Sequence, residues 1–202
     1  MDKTFPLLQL IRNLLDSLAV SFDLPILDWI AANLRSPLMD VVMPIITMFG
    51  DDGIFWIGVA VVLFLTKKYR KVGLGMAFAM LMGLLLCNVT LKPLIARIRP
   101  YDFQMLYFQK EIFLLAGGMH DFSFPSGHTI ASFEACSVMM LGDKKLGIPA
   151  TVLAFLIAFS RLYLYVHYPT DVLVSMVLGT ALGFLGYWLA QKSDLKLPHH
   201  KK

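Results

Sequence analysis

Three short polar stretches interrupt an otherwise apolar chain and carry residue types that suit phosphate chemistry. They are Lys92 followed after six residues by Arg99-Pro100, then Pro125-Ser126-Gly127-His128, then Ser160-Arg161 followed by His167 and Asp171. Ionisable groups beside hydrophobic helices are costly and usually functional. The cations could hold a phosphate while one histidine attacks it and the other protonates the group that leaves. The chemistry requires the three stretches to meet in space.

The predicted phosphate-binding residues are Lys92, Arg99, Ser126, Gly127 and Arg161. The two guanidinium forks match pairs of phosphate oxygens, and the lysine adds a point charge. The second stretch opens a predicted helix, whose free N–H groups and dipole favour an anion. Taken alone, Ser126 is better explained as a helix N-cap than as a direct ligand.

The predicted reacting groups are His167, Asp171 and His128. Asp171 follows His167 by four residues, so on a helix that begins near Pro169 its carboxylate can reach one ring nitrogen. That contact would fix the tautomer and leave the other nitrogen free to attack phosphorus. His128 would act as the general acid on the leaving-group side. No carboxylate cluster of metal-ligand type accompanies these residues, so we expect no metal and no cofactor.

Each of these residues also has a structural interpretation when it is taken alone. An interfacial histidine often just satisfies a hydrogen bond, and arginines at helix ends often extend to lipid head groups. A histidine–aspartate pair could bind a metal, although two ligands make a poor zinc site. The catalytic interpretation is favoured because the residues occur together.

The composition is that of a polytopic membrane protein. Of 202 residues, 57% are hydrophobic and only 16% are charged, and the mean hydropathy is +0.68. The formal charge of +4 does not indicate nucleic-acid binding, because the basic residues form short clusters between apolar runs. Cys87 and Cys136 lie inside apolar runs, which favours burial over a disulfide.

The apolar runs predict an all-α bundle of six membrane spans within residues 37–190. The spans are 37–49, 55–66, 73–91, 126–141, 146–164 and 172–190. Because Arg35, Pro37 and Asp40 interrupt the apolar pattern, the first span begins either near Pro37 as a short helix or near Leu24 as a kinked one. Residues 1–36 predict an amphipathic segment that includes a helix lying on the membrane surface. Residues 92–125 form one long connection that carries part of the site, and residues 191–202 form a basic tail.

The distribution of basic residues predicts the orientation. With six spans and a cytoplasmic N-terminus, all but five of the 18 basic residues fall on the cytoplasmic side. The five exceptions are Lys92, Arg97, Arg99, Lys110 and Arg161. This arrangement places both termini in the cytoplasm and all three polar stretches at the extracytoplasmic face of the plasma membrane.

The three stretches together resemble the three-part motif of the type 2 phosphatidic acid phosphatase superfamily, matching every position in type and spacing. The resemblance implies that His167 is the nucleophile, Asp171 orients it, and His128 is the acid. Lys92, Arg99, Ser126, Gly127 and Arg161 correspond to phosphate binders. The family includes membrane phosphatases of phosphatidate, phosphatidylglycerophosphate, sphingolipid phosphates and polyprenyl diphosphates. It also includes soluble vanadium haloperoxidases, against which the membrane character of this chain argues.

The sequence thus predicts a lipid phosphatase that forms a phosphohistidine, with a membrane lipid as substrate and the bilayer as its setting. Undecaprenyl diphosphate is the favoured substrate, and phosphatidate or phosphatidylglycerophosphate comes next. A protein of another class, a transporter or lipid-binding scaffold that holds phosphate without cleaving it, would lack His167, Asp171 or His128. The sequence makes no prediction about oligomeric state.

Overall fold

The computed structural model describes residues 6–193, which contain helices and no strand. Helices make up 81% of the structure, as the sequence predicted. The α-helices are α1 (Pro6–Leu18), α2 (Leu24–Asn33), α3 (Pro37–Met48), α4 (Ile54–Leu65), α5 (Arg70–Gly83), α6 (Lys92–Ile95), α7 (Pro100–Phe108), α8 (Gly127–Gly142), α9 (Lys144–Tyr163) and α10 (Pro169–Lys192). Two π-helical segments, Ala19–Asp23 and Leu84–Leu91, join α1 to α2 and α5 to α6.

The core of the bundle is formed by α10 packed against α8 and α5, with α9 and α4 on the flanks. Glycines allow the central helices to approach closely. A Cβ on Gly179 would lie 2.7 Å from the carbonyl oxygen of Ile130, and one on Gly183 would lie 2.9 Å from that of Glu134. The small residues of α10 therefore serve contacts inside the bundle, which is the use that small residues commonly have between membrane helices.

One end of the bundle, which we call the basic end, gathers the turns at residues 67–71 and 143–145 with the end of α10. The hydroxyl of Tyr69 donates to Asp143 at 3.0 Å. Lys71 Nζ donates to the carbonyl oxygens of Ala190 at 2.7 Å and Ser193 at 2.6 Å. The three polar stretches lie at the opposite end, which we call the site end. This separation of the basic turns from the polar stretches is the one that the sequence predicted.

Four helical stretches of the described chain are long and apolar enough to cross a membrane: Pro37–Leu65, Lys67–Phe108, Lys144–Tyr163 and Pro169–Lys192. The first combines α3 and α4, which are separated where Asp52 and Gly53 adopt positive φ angles of 48° and 68°. Each of these two helices has 12 residues, fewer than the ~20 that span a bilayer. Six separate spans are therefore not evident in the described residues.

Helix α3 does not run from one end of the bundle to the other, as its predicted span required. At its N-terminus, the amide of Ser36 donates to the hydroxyl of Tyr163 at 3.4 Å. At its other end, Thr47 accepts a hydrogen bond from Arg161. Because both ends contact the last turn of α9, α3 lies against the site end. The apolar pattern of residues 37–49 is equally suited to this position.

The N-terminal segment also lies at the site end, which corrects the prediction that it lies opposite the polar stretches. Arg12 donates to the carbonyl oxygens of Leu94 at 2.8 Å and Ile95 at 2.9 Å, and Lys110 donates to Asp28 at 2.8 Å. These are specific contacts with the long connection between α5 and α8. The leucines at positions 7, 10 and 14 are exposed, and contact of α1 with the membrane surface stays a prediction. Residues 1–5, and most of the predicted 191–202 tail, lie outside the described range.

Candidate active site

Arg99 and Lys92 lie on either side of a chain reversal that follows α6. Ala96 adopts a positive φ of 52° and ends that helix, and Arg99 occupies the N-cap position of α7. The side chain of Arg99 is 2% exposed. Its Nη1 donates to the carbonyl oxygen of Val166 at 2.7 Å and lies 3.3 Å from His167 Nε2. The first and third polar stretches therefore meet, as predicted.

The carboxylate of Asp121 bridges Lys92 and Arg99. It accepts hydrogen bonds from both cations, and Arg99 Nε also donates to the Asp121 carbonyl oxygen at 2.9 Å. Burial alone would raise the pKa of Asp121. Lys92 and Arg99 outweigh this effect through their hydrogen bonds and positive charges, and they hold the pKa well below its usual value. The protein's own carboxylate thus occupies the position where the sequence predicts a phosphate. Asp121 is a site residue that the sequence pattern did not predict.

His167 follows α9 and is 1% exposed. Its Nδ1 lies 3.4 Å from Asp171 Oδ2, the pairing that the four-residue spacing predicted. Burial, with the positive charges of Arg99, Arg161 and Lys92, lowers the pKa of His167 well below 6.5. The imidazole is therefore neutral at physiological pH, the state in which a ring nitrogen can act as a nucleophile.

Asp171 is fully buried in the first turn of α10. Besides lying near His167, its carboxylate accepts hydrogen bonds from Arg97, from the hydroxyl of Ser123, and from the backbone amide of Tyr168 at 3.0 Å. These donors fix the carboxylate in place on the side of His167 that faces away from Arg99.

Arg97 belongs to the site although it is not one of the predicted phosphate-binding or reacting residues. Its guanidinium is buried and also binds Asp23 of the N-terminal segment at 2.8 Å and the carbonyl oxygen of Leu15 at 2.9 Å. Its Cζ lies 3.7 Å from the ring centroid of Tyr168. Asp23 in turn accepts from the amide of Thr170 at 2.8 Å. Arg97 and Asp23 both stand among apolar residues in the sequence. A charge in such surroundings needs a partner, and this was the available signal that the two residues pair.

His128 occupies the first turn of α8 and packs against the turn between α3 and α4. Its Nε2 lies 2.7 Å from Asp51 Oδ1. A Cβ on Gly50 would lie only 2.7 Å from Cδ2 of the ring, so only glycine leaves room for the imidazole there. Asp51 was not predicted as a site residue, although the predicted topology placed its turn at the same end.

Arg161 and Ser126 are buried beside the site, with their polar atoms largely engaged by protein. Arg161 donates to Thr47 and lies 3.1 Å from the sulfur of Met119. Ser126 caps α8, and its Oγ accepts from the hydroxyl of Thr129 at 3.0 Å. This is the N-cap function that the sequence favoured. Contact of either side chain with a phosphate stays a prediction.

Five of the predicted residues line one cavity of about 830 Å³: Lys92, Arg99, Gly127, His128 and His167. Asp171 lies behind His167, out of contact with the cavity. Away from these polar groups the cavity continues between α4 and α5 as an apolar groove whose walls include Ile57, Val61, Leu81 and Leu84. The inner end is closed where Gly73 packs against α4, since a Cβ there would lie 2.3 Å from the amide of Phe64. An anion site thus sits at the head of a groove suited to a hydrocarbon chain.

Within residues 6–193, no three His, Cys, Asp or Glu side chains cluster in a way that could hold a metal ion. The cations of the site and the backbone amides at the start of α8 are instead groups that bind anions directly. The donor set is therefore suited to a phosphate and poorly suited to a divalent metal.

Comparison with known proteins agrees with this geometry. Residues 72–194 match the model of the PAP2 superfamily. The chain is 34% identical over 184 residues to "Phosphatidylglycerophosphatase B" of Bacillus subtilis, covering 85% of this chain and 83% of that protein. It is 29% identical over 155 residues to "Undecaprenyl-diphosphatase" of Sulfolobus acidocaldarius, covering 76% and 72%. The crystal structure of a transmembrane PAP2-type phosphatidylglycerolphosphate phosphatase from Bacillus subtilis superposes with a TM-score of 0.70 at 28% identity, covering 94% of this chain and 97% of the other. This chain is therefore an integral membrane protein that belongs to the PAP2 superfamily.

Proposed function

We propose that this protein is a phosphatase that releases phosphate from a lipid phosphate or diphosphate held in the membrane. One observation carries the proposal: Lys92, Arg99, His128 and His167 line the polar head of a cavity that continues as an apolar groove. A lipid can place its phosphate among these residues while its chain follows the groove between α4 and α5. A soluble phosphate ester would not need such a groove.

In the proposed reaction, His167 Nε2 attacks phosphorus in line with the oxygen that joins the phosphate to the lipid. The bond between phosphorus and nitrogen forms as the bond to that oxygen breaks, which gives a phosphohistidine. Asp171, close to Nδ1, stabilises the positive charge that develops on the ring. His128 gives its proton to the leaving oxygen. Water then attacks phosphorus and gives a proton to His128 as the bond between phosphorus and nitrogen breaks, which releases inorganic phosphate and restores both histidines.

Lys92, Arg99 and Arg161 supply the positive charge that the transition state needs. A transferring phosphoryl group spreads its charge over three equatorial oxygens, and fixed cations in a water-poor site stabilise that charge strongly. For Lys92 and Arg99 to bind the phosphate, it must replace the carboxylate of Asp121. The fixed cations fill the role that a divalent ion has in other phosphatases, which supports a metal-independent reaction.

Two classes of lipid are candidates for the substrate. Undecaprenyl diphosphate is the substrate that the sequence favoured, and it gives its name to the relative from Sulfolobus acidocaldarius. Phosphatidylglycerophosphate is the second candidate, and the Bacillus subtilis relative aligned over more of its length takes its name from that lipid. Phosphatidate shares the terminal monoester and belongs in the same comparison.

We place the reaction at the extracytoplasmic face of the plasma membrane. The turns at the basic end hold Lys67, Lys68, Arg70, Lys71, Lys144 and Lys145, and basic loops are retained in the cytoplasm. The site end therefore faces outward. The described part of the N-terminal segment then lies on the outer side too, and the described end of the chain on the inner side.

The test is phosphate release by the purified protein in detergent, with EDTA present throughout. Undecaprenyl diphosphate, phosphatidylglycerophosphate and phosphatidate are the substrates. We expect turnover of at least one lipid and its loss in His167→Asn, with the variant as thermally stable as the parent. His120→Asn, which changes an exposed histidine between α7 and α8, is the matched control.

Three results would count against the proposal. Turnover that stops on chelation and returns with a divalent metal would remove the metal-independent reaction. Turnover retained by His167→Asn would remove His167 as the nucleophile. If the parent bound these lipids without releasing phosphate from any of them, the protein would belong to the binding or transport class instead.

A further inference from the structure

An acidic residue, Glu134, lies in the middle of α8 and faces the apolar groove. The residue is 1% exposed, and it forms part of the wall of the cavity. Within the described chain, no salt bridge involves this carboxyl group, and Oε1 has no hydrogen-bond partner. Ionisable groups inside a membrane bundle are expensive and usually functional. The phosphatase chemistry described above does not use Glu134.

The neighbouring helix is shaped around this carboxyl group. Gly83 of α5 lies directly opposite, and a Cβ at that position would come within 2.7 Å of the carboxyl carbon of Glu134. A leucine or methionine at position 134 could fill the same space without the free-energy cost of an unpaired polar group, which is about 1–3 kcal/mol. The pairing of a glycine with a carboxyl group therefore suggests a partner that the protein itself does not provide.

The depth of Glu134 in the groove fits a contact with the lipid below its phosphate. Glu134 is six residues beyond His128 on α8, which places it about 9 Å farther from the site end. Ala131 and Met80, between the two levels, line the same cavity. A lipid with its phosphate at His167 must pass Glu134 as it enters the bilayer.

We propose that Glu134 is a hydrogen-bonding subsite for a carbonyl or hydroxyl group of a glycerophospholipid substrate. The inference rests on the proposed phosphatase function and names its substrate class. No cation of the described chain pairs with the carboxyl group, so it avoids the cost of a buried charge by staying neutral, and its O–H can donate a hydrogen bond to an ester carbonyl oxygen. A polyprenyl diphosphate presents only hydrocarbon at this depth, which would leave the carboxyl group buried without a partner.

The depth also distinguishes among glycerophospholipids. In phosphatidate the acyl esters and the phosphate are attached to one glycerol, so the esters stay near the head of the groove. In phosphatidylglycerophosphate a second glycerol and a phosphodiester separate the terminal phosphate from the esters, which brings them deeper. A glycerophospholipid with such a spacer fits the separation of His128 from Glu134 best.

The test compares catalytic efficiencies on phosphatidylglycerophosphate and undecaprenyl diphosphate for the parent, Glu134→Leu and Glu134→Gln. The ratio is the efficiency on phosphatidylglycerophosphate divided by that on undecaprenyl diphosphate. We expect this ratio to fall about tenfold in Glu134→Leu, which corresponds to one lost hydrogen bond. Glu134→Gln keeps a donor of similar size, so its ratio should stay within about twofold of the parent's. Cys136→Ala removes a buried side chain from the same helix outside the groove and should leave the ratio unchanged.

The outcomes separate this inference from the proposed function. If the parent is active and the ratio is unmoved in Glu134→Leu, or moves equally in Cys136→Ala, the subsite is overturned while the phosphatase stands. The same holds if Glu134→Gln behaves like Glu134→Leu. If the parent releases phosphate from no lipid, the proposed function fails and the subsite fails with it. Melting temperatures in detergent identify any variant that has lost its fold, and Glu134→Gln then decides the question.

Discussion

The guanidinium group of Arg97 donates a hydrogen bond to the carboxylate of Asp171, the group that lies beside Nδ1 of the proposed nucleophile. Both side chains are almost fully buried. A buried ion pair of this kind fixes a direction as well as a charge, because the planar fork of arginine binds an oxygen only along its N–H bonds. The orientation of Asp171 therefore depends on Arg97.

Replacement of Arg97 should reduce turnover because Asp171 would lose its fixed orientation. We expect Arg97→Met to lower kcat about 100-fold, the effect of small displacements in an active site. Arg97→Lys keeps the charge but loses the fork and should lower kcat about tenfold. Steady-state kinetics measure both, and Arg70→Lys at the basic end is the control. A rise in KM with an unchanged kcat would assign Arg97 to substrate binding instead.

Asp121 should compete with phosphate for the site. Its carboxylate bridges Lys92 and Arg99, so Asp121→Asn should free these cations for an external anion. We expect inorganic phosphate to inhibit the variant about fivefold more strongly, the effect of an exposed ion pair worth up to 1 kcal/mol. Glu111→Gln, an exposed residue of the same connection, is the control. An unchanged inhibition constant would show that Asp121 leaves the site at no cost.

The difference in phosphate inhibition between the parent and Asp121→Asn should not depend on pH near neutrality. The lowered pKa of Asp121 keeps the carboxylate ionised at and above its usual titration range. Its competition with phosphate is therefore fully present at neutral pH and is lost only as the pH falls through that lowered pKa. Inhibition constants measured for parent and Asp121→Asn from about pH 6 to 8 should differ by a constant factor. A difference that disappears by pH 6 would mean that the pKa of Asp121 is raised far above its usual value instead of lowered.

The sequence predicted those parts of the site that follow from local spacing. His167 and Asp171 are four residues apart at the start of a helix, and their side chains lie 3.4 Å apart. The convergence of the polar stretches at one end followed from hydropathy and loop charge. Asp51 and Ser123 were not predicted, because their contacts depend on how loops cross the end of the bundle.

The N-terminal segment shows why the topology was predicted only in part. An amphipathic helix has the same pattern whether it rests on the cytoplasmic or the outer surface. The predicted topology places Arg12 on the cytoplasmic side. In the structure Arg12 instead binds backbone carbonyl oxygens at the site end. Two long-range partners of Asp23, namely Arg97 and Thr170, decide the position of this segment. Sequence periodicity contains no information about such partners.

Asp23 should therefore stabilise the first turn of α10. Asp23→Ala leaves the guanidinium group of Arg97 buried with a single acidic partner, which should destabilise the fold by about 3 kcal/mol. Thermal unfolding in detergent measures the change. Asp28→Asn removes an ion pair that is half exposed and should cost less than about 1 kcal/mol. Similar melting temperatures for both variants would show that the buried pair contributes nothing beyond a surface pair.

Asn33 and Glu111 should be accessible from the same side of the membrane, and Lys68 from the other. Asn33 and Glu111 are exposed at the site end, and Lys68 is exposed at the basic end. In intact cells, an impermeant maleimide should label Asn33→Cys and Glu111→Cys, whereas Lys68→Cys should react only after lysis. The parent is the control, because Cys87 and Cys136 are buried. Labelling of Lys68→Cys together with Glu111→Cys would contradict the placement of the two ends. Labelling of Glu111→Cys without Asn33→Cys would instead restore the cytoplasmic N-terminal segment, since the contacts of Arg12 and Asp28 with the site end could then not exist in the membrane.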